Sequence, residues 1–290
     1  MTPQPSCSPS GILLIDCPDR PGIVAAVAQF LYRNGGNILH ADQHQDNDAG
    51  MFFMRVEWTL ESFQIPQSAF QSEFEPIARR FDMHWRVAWS NTASRIALFV
   101  SRYQHCLLDV LHSNQGRELA GEIALIISNH PDASSLASFY GIPFHCFPMT
   151  AADKARVEER ELELLAENDI DLVVLARYMQ VLSPQFVARY PRKIINVHHS
   201  FLPAFMGAKP YQAAFERGVK LIGATSHYVT DDLDEGPIIE QDVMRVSHRD
   251  QVQDLIQKGR DLERVVLSRA VRWHLRHRIL FYGHKTVIFD

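Results

Sequence analysis

The chain has 290 residues, and its 29 Lys and Arg against 34 Asp and Glu give a formal charge of −5 at pH 7. That length predicts two domains, and a composition of 46% hydrophobic and 22% charged residues is typical of a folded globular protein and excludes extensive disorder. The sequence predicts no membrane span, secretory leader or broad basic surface for nucleic acid, and four cysteines without CxxC spacing favour a reduced, cytoplasmic protein.

Residues 1–10 contain three prolines, and we predict that they form a disordered tail. Residues 11–89 then show strands and helices in the order β-α-β-β-α-β, which is the ferredoxin-like arrangement. The first helix of this domain is predicted to start at a cap formed by Asp19, with Pro21 in its first turn. It is predicted to end at Asn34-Gly35-Gly36.

Residues 90–94 are polar, and we predict that they link the first domain to a second one over 95–290. In that second domain strands alternate with longer helices, and apolar runs such as Leu172–Leu175 are typical of a parallel sheet covered on both faces. The pattern predicts an open, mostly parallel, doubly wound α/β domain that ends in a long helix around 251–279. The acidic run Glu158–Glu163 is interpreted as the solvated face of a helix.

Polar side chains follow one of the apolar strands of the second domain. Ligands of an open parallel sheet bind outside the carboxyl ends of its strands, which directs attention to Asn196 and His198 after Ile194-Ile195. Two residues apart in an extended segment, these side chains project to the same side. An amide and an imidazole at one point suit the polarisation of a carbonyl, the stabilisation of an oxyanion and the movement of protons at neutral pH.

A second polar loop, Thr230–Gly236, is predicted to bring a carboxylate to the same sheet edge. Because the set offers no Ser or Cys nucleophile, direct attack by water or an external amine is the natural chemistry. The pattern alone leaves other interpretations open. Asn196 and His198 also fit a structural loop pair, and the acids also fit a solvated turn. No metal site is predicted, since the two-His helical spacing of such sites is lacking.

Longer motifs in both domains resemble those of the formyltetrahydrofolate deformylase family. In the second domain the motifs are His105–Asp109, Leu175–Met179, Leu182–Pro184, Asn196–Phe205, Gly207–Tyr211, Gly223–Thr230 and Leu233–Ile238. In the first domain, Asp19–Ile23 and Gly35–Ile38 are similar to an ACT domain, the small regulatory module of this family. The resemblance covers nearly the whole chain from Gly11 onward.

The resemblance implies hydrolysis of 10-formyltetrahydrofolate to tetrahydrofolate and formate, which supplies formate for purine synthesis and balances one-carbon folate pools. It implies Asn196, His198 and Asp234 as the catalytic residues, with no cofactor and no metal. The folate is expected to contact the loop that contains Tyr178, Met179, Gln180, Val181 and Leu182, and His105 is expected to position or exclude water. Related transferases often have Arg where this chain has Gln180, so backbone groups are expected to make most of the contacts.

The ACT resemblance implies an amino-acid effector, methionine or glycine, and pairing of ACT domains in a homo-oligomer. The effector is expected at Asp19, Arg20, Pro21, Gly22 and Asn37. Two alternatives to hydrolysis remain: formyl transfer to an amine such as glycinamide ribonucleotide, and a non-catalytic folate or amino-acid sensor. The turn Val100–Cys106 has no glycine to cradle a ribonucleotide phosphate, which favours water as the acceptor.

Overall fold

A computed structural model describes residues 8–203 and 210–290. Contacts divide the chain into two compact units, one formed by the residues up to Ala93 together with His277–Asp290, the other by Ser94–Arg276. The predicted tail falls outside the described residues as far as Cys7, and Ser10 already belongs to a strand. The division differs from the expected one at the carboxyl end, where the second domain was predicted to continue to residue 290.

The first unit contains the predicted β-α-β-β-α-β fold. Its elements are β1 (Ser10–Pro18), α1 (Ile23–Arg33), β2 (Ile38–Asp46), β3 (Met51–Thr59), α2 (Phe70–Phe81) and β4 (His84–Trp89). The strands form one sheet in the order β2-β3-β1-β4. A core of apolar side chains from one face of the sheet and from both helices, with Trp58 and Phe70 stacked 5.4 Å apart at its centre, holds the layers together.

The start of α1 differs from the prediction. Its N-cap is Gly22, in the left-handed conformation at φ 96°, and no side chain caps the helix. Asp19 instead accepts a hydrogen bond from the Gln45 side chain. Pro21 precedes the helix rather than lying in its first turn, because the chain reverses at Gly22, a conformation that glycine adopts without strain. At the other end, Asn34 caps the helix and Gly35 is left-handed, as predicted.

The carboxyl-terminal residues form a strand pair that belongs to the first unit. The strands β12 (Ile279–Tyr282) and β13 (Lys285–Ile288) pair in antiparallel fashion, with the left-handed Gly283 in the turn between them. Leu280 and Phe289 pack in a second core against side chains from the other face of the sheet, which are Ile12, Leu14 and Phe53. The helix predicted to reach residue 279 stops at Leu275, so the last strands cover what would be an exposed apolar sheet face.

The second unit is the expected open α/β domain. Its strands are β5 (Ser94–Val100), β6 (Gly121–Ser128), β7 (Phe144–Cys146), β8 (Leu172–Leu175), β9 (Ile194–His198), β10 (Leu221–Tyr228) and β11 (Ile238–Arg245). Its helices are α3 (His105–Gln115), α4 (Ser134–Tyr140), α5 (Lys154–Glu167), α6 (Pro184–Arg189), α7 (Pro210–Arg217) and α8 (Val252–Leu275). None of the helices in the described parts of the chain has the length and apolarity needed to cross a membrane.

The sheet of this unit has the order β11-β10-β9-β8-β5-β6-β7. Strands β5 to β9 pair in parallel, and β10 and β11 add an antiparallel edge. The strand order reverses between β5 and β8, since the chain runs from β5 toward one edge and returns through β8 toward the other. Such a switch point opens a crevice at the carboxyl ends of the strands, where ligands of these folds bind.

Helix α5 differs from the prediction of a solvated acidic face. Glu158 and Glu161 are 4% and 0% exposed. Tyr178 donates a hydrogen bond of 3.1 Å to Glu161 Oε1, and the backbone N–H of Ser183 donates one of 3.0 Å to Glu158 Oε1. Lys154 Nζ donates to the carbonyl oxygen of Val181 at 2.5 Å. Three side chains of α5 therefore hold the loop that follows β8.

Candidate active site

Strand β9 presents the first two predicted catalytic residues. Asn196 and His198 alternate with the buried Val197, so their side chains lie on the same side of the sheet. The antiparallel partner β10 places His227 opposite Asn196 and Thr225 opposite His198. Thr225 Oγ1 donates to the carbonyl oxygen of Ser200 at 2.9 Å, which fixes the chain as it leaves β9.

The third predicted residue, Asp234, comes from the loop after β10. Its backbone is left-handed at φ 58°. Two residues later, a Cβ on Gly236 would lie 1.7 Å from the carbonyl oxygen of Tyr228, so only glycine fits there. The N–H of Tyr228 donates to the carbonyl oxygen of Pro237 at 2.9 Å, and this closes the loop over the end of its own strand.

The loop brings Asp234 to the histidine of β9. Asp234 Oδ1 lies 3.2 Å from His198 Nδ1. The hydrogen bond from His198 holds the pKa of the Asp234 carboxyl well below its usual range. An ionised Asp234 favours the proton on His198 Nδ1 and leaves Nε2 to face a ligand. His198 Nε2 is buried and has no hydrogen-bond partner among the described residues.

Sequence reasoning missed His227, which the structure adds to the site. The side chain is 2% exposed. Its Nδ1 lies 2.9 Å from the carbonyl oxygen of Tyr228, and its Nε2 lies 3.2 Å from Asn196 Nδ2. A proton on Nδ1 therefore leaves Nε2 as the acceptor for the Asn196 amide, whose second N–H remains for a ligand. The sequence does show a histidine inside an apolar strand, but its role becomes clear only once β9 and β10 are known to pair.

A cavity of about 310 Å³ lies against these residues. It is lined by Asn196, His198, His199, His227, the loop residues 229–234, and every predicted folate-contact residue from Tyr178 to Leu182. Met179 and Val181 are 54% and 57% exposed, which leaves apolar side chains at the wall. The cavity combines one polar end with an apolar wall, as expected for a site that binds a small organic molecule.

His105 takes a different place from the one expected. It is absent from the lining of this cavity and instead lies with Nε2 2.6 Å from Glu263 Oε2. Together with Cys106, the pair is the one group of metal-ligating type found among the described residues. Arg177 Nε lies 3.5 Å from the same Glu263 oxygen, so a fixed positive charge already balances this carboxylate. These residues therefore do not form a good cation site.

The proposed effector residues do not come together within one chain. Asp19, Arg20, Pro21 and Gly22 follow β1 at the end where Pro18 pairs with Met51. Asn37 precedes β2 and accepts a hydrogen bond from the N–H of Thr59, at the opposite end of β3. A single chain therefore offers two separate groups. The motif residues Ala204, Phe205 and Gly207 to Lys209 lie outside the described residues.

An open α/β sheet with an amide, an imidazole and an ionised carboxylate at one end of a crevice is typical of enzymes that transfer or hydrolyse an acyl group. Residues 94–271 match the formyl transferase family model, and residues 11–57 match the ACT domain model. The chain is 58% identical over 277 residues to the formyltetrahydrofolate deformylase of a Synechocystis species, covering 96% of this chain and 97% of the relative.

Solved structures agree with these matches. A formyltetrahydrofolate deformylase from Pseudomonas syringae pv. tomato is similar with a TM-score of 0.95 and 47% identity, covering 98% of this chain and 96% of the other. Glycinamide ribonucleotide transformylase 1 from Symbiobacterium toebii is similar with a TM-score of 0.64 and 32% identity, covering 68% and 95%. The chain belongs to the formyltetrahydrofolate deformylase family.

Proposed function

We propose that this chain hydrolyses 10-formyltetrahydrofolate, with water, to tetrahydrofolate and formate. The observation that supports the reaction most directly is the convergence of Asn196, His198 and Asp234 at the polar end of the cavity, in a chain of this family. The pterin lies along the loop Tyr178–Leu182, where backbone groups read its polar edge, and the formyl group points to β9.

The reaction begins with attack of water on the formyl carbon. The carbonyl oxygen becomes an oxyanion, which accepts hydrogen bonds from the Asn196 amide and from protonated His198 Nε2. His227 holds the Asn196 amide in the required orientation. Donors fixed before the reaction stabilise the tetrahedral intermediate without reorganising, which is the main source of rate in such sites.

Breakdown of the intermediate requires a proton on the leaving nitrogen. Asp234 stays ionised because its pKa is depressed, and so it holds the His198 imidazole in place and orients the attacking water. His198 donates its Nε2 proton to N10, and the proton that the water loses then replaces it on the imidazole. The bond from the formyl carbon to N10 then breaks, which releases formate and tetrahydrofolate.

The test is to incubate the purified full-length chain with 10-formyltetrahydrofolate and no acceptor, and to measure formate. His198→Ala and Asp234→Ala should keep the fold and lower turnover by roughly 10²–10⁴-fold. The exposed His248→Ala serves as a control that should leave turnover unchanged. Formyl transfer to added glycinamide ribonucleotide at a rate similar to formate release would instead make the chain a transferase.

The ACT unit supports regulation by an amino acid, with methionine and glycine as the candidate effectors, and assembly into a homo-oligomer through paired ACT units. Titration of formate release with each amino acid tests the first proposal, and light scattering tests the second. Formate supply for purine synthesis and balance of folate pools follow from the products. A cytoplasmic location is supported by the free thiols of Cys17, Cys106 and Cys146.

A further inference from the structure

A second polar cluster lies beside the cavity and is not used by the proposed reaction. Its centre is Glu263 of α8, a residue 1% exposed. One carboxylate oxygen accepts from His105 Nε2 at 2.6 Å, and the other accepts from the Tyr211 hydroxyl at 3.0 Å. Arg177, which also lines the cavity, lies 3.5 Å away. Burial alone would raise the pKa of Glu263, but the hydrogen bond from His105 and the charge of Arg177 outweigh it and lower the pKa.

The cluster is located at the switch point of the sheet. His105 is the first residue of α3, just after β5, and Arg177 comes just after β8. The N–H groups and the dipole at the start of a helix in this position attract a negative group. Glu263 lies there, with its carboxylate within 4.8 Å of the His105 ring nitrogen and of Cys106 Sγ in the first turn of α3.

A second guanidinium group shares an aromatic ring with Arg177. Arg177 and Arg260 lie over the ring of Tyr103, at 5.7 Å and 5.6 Å from its centroid. With the hydroxyl of Tyr211 and the ring of His105, they make surroundings suited to an anion. The anion present is part of the chain itself, and hydrogen bonds from His105 and Tyr211 occupy both of its carboxylate oxygens.

We propose that Glu263 determines acceptor specificity by occupying the place where a phosphate group would bind at the switch point. The inference rests on the proposed function, in which water is the acceptor. A phosphorylated amine would need to set its phosphate near Arg177 and the start of α3 while its amine reached the formyl carbon. The Glu263 carboxylate excludes that phosphate by charge and by volume, whereas water needs no such position.

The experiment titrates orthophosphate into the full-length chain, without folate, and follows ³¹P chemical shifts. Glu263→Ala removes the charge and opens space, so it should bind phosphate at least tenfold more tightly than the original chain. Glu263→Gln keeps the shape and removes the charge, so a smaller gain, about threefold, is expected. Asp261→Asn, on the same helix but more exposed and paired with Arg264, is the charge-matched control and should show no gain.

The double variant Glu263→Ala with Arg177→Ala locates the bound anion, because the gained affinity should be lost when this guanidinium is removed. Folded Glu263→Ala and Glu263→Gln variants that bind phosphate no more tightly than the original chain would overturn the proposal. A gain that survives Arg177→Ala would overturn it as well. If Glu263→Ala fails to fold, the isosteric Glu263→Gln decides. Formate release is measured separately, so a failure of the proposed hydrolysis is distinguishable from a failure of the proposed role of Glu263.

Discussion

The hydroxyl of Tyr178 donates a hydrogen bond of 3.1 Å to Glu161 Oε1 beneath the folate-contact loop. The other oxygen of this carboxylate, Oε2, is buried without a hydrogen-bond partner among the described residues. Burial raises the pKa of Glu161 to about 7, and the neighbouring Glu158 adds to that effect. A carboxyl of this kind is protonated in the folded chain over a range of pH in which it is ionised in the unfolded chain.

Glu161→Gln should therefore change the pH dependence of stability. Between pH 4.5 and about 7 the folded chain holds a proton on Glu161 that the unfolded chain has lost, so the stability of the original chain falls as pH rises through this window. Gln mimics the protonated carboxyl, so the variant should not lose stability in this window. At about 1.4 kcal/mol per pH unit, the loss that it avoids is roughly 3 kcal/mol of unfolding free energy at most. Urea unfolding of both chains at pH 5 and pH 8 measures the difference between their unfolding free energies. The same difference at both pH values would contradict the prediction.

Tyr178→Phe should weaken substrate binding more than it slows the chemical step. The hydroxyl anchors the loop that lines the cavity to α5, and it is remote from the formyl carbon in the proposed reaction. The expected result is a KM several-fold higher with kcat nearly unchanged, the pattern of a lost binding contribution. Tyr190→Phe is the control, because Tyr190 is a half-buried tyrosine at the end of α6 that does not line the cavity. It should leave KM and kcat unchanged.

His227→Ala should slow turnover by about 10²-fold, because the Asn196 amide would lose the acceptor that orients it. KM should change little, since His227 acts through Asn196 in this scheme. His227→Gln offers a side-chain oxygen as an alternative acceptor and should restore part of the rate. Steady-state kinetics with 10-formyltetrahydrofolate measures both variants. Equal losses in the two would show that the histidine ring has a role of its own.

Gly236→Ala should displace the loop that carries Asp234. Its new methyl group would meet the carbonyl oxygen of Tyr228 at 1.7 Å, so the backbone must move. A shift of about 1 Å in Asp234 costs on the order of 10²-fold in turnover. Gly116→Ala is the matched control, since its methyl group would contact its nearest neighbour at 3.5 Å. A Gly236→Ala chain with normal formate release would show that the loop tolerates this movement.

The sequence allowed the two predicted residues of β9 to be placed correctly because local alternation decides which side of a strand a residue faces. Asn196 and His198 needed no knowledge of their neighbours. The position of Asp234 relative to them depended on the family motif, since the loop after β10 is long and polar. His227 was missed because its role arises from antiparallel pairing with β9, a non-local contact that periodicity does not encode.

Charge patterning was misleading on α5. A run with four glutamates predicts a solvated face, yet Glu158 and Glu161 turn toward the loop after β8, where they are buried and hydrogen-bonded.

The last strands, β12 and β13, were missed for a different reason. Residues 276–279 continue the helical spacing of α8, but His277 is left-handed and the chain turns away into β12.

The strand pair β12–β13 makes the ACT unit discontinuous along the chain. The catalytic unit is an insertion between two parts of the same fold, and it is joined to that fold at both of its ends. During synthesis the ribosome therefore finishes the catalytic unit before it supplies the strands that cover Leu14 and Phe53. A fragment cut after Ala93 would leave that face bare, so any attempt to excise the ACT unit must graft its final 14 residues, His277–Asp290, back onto it.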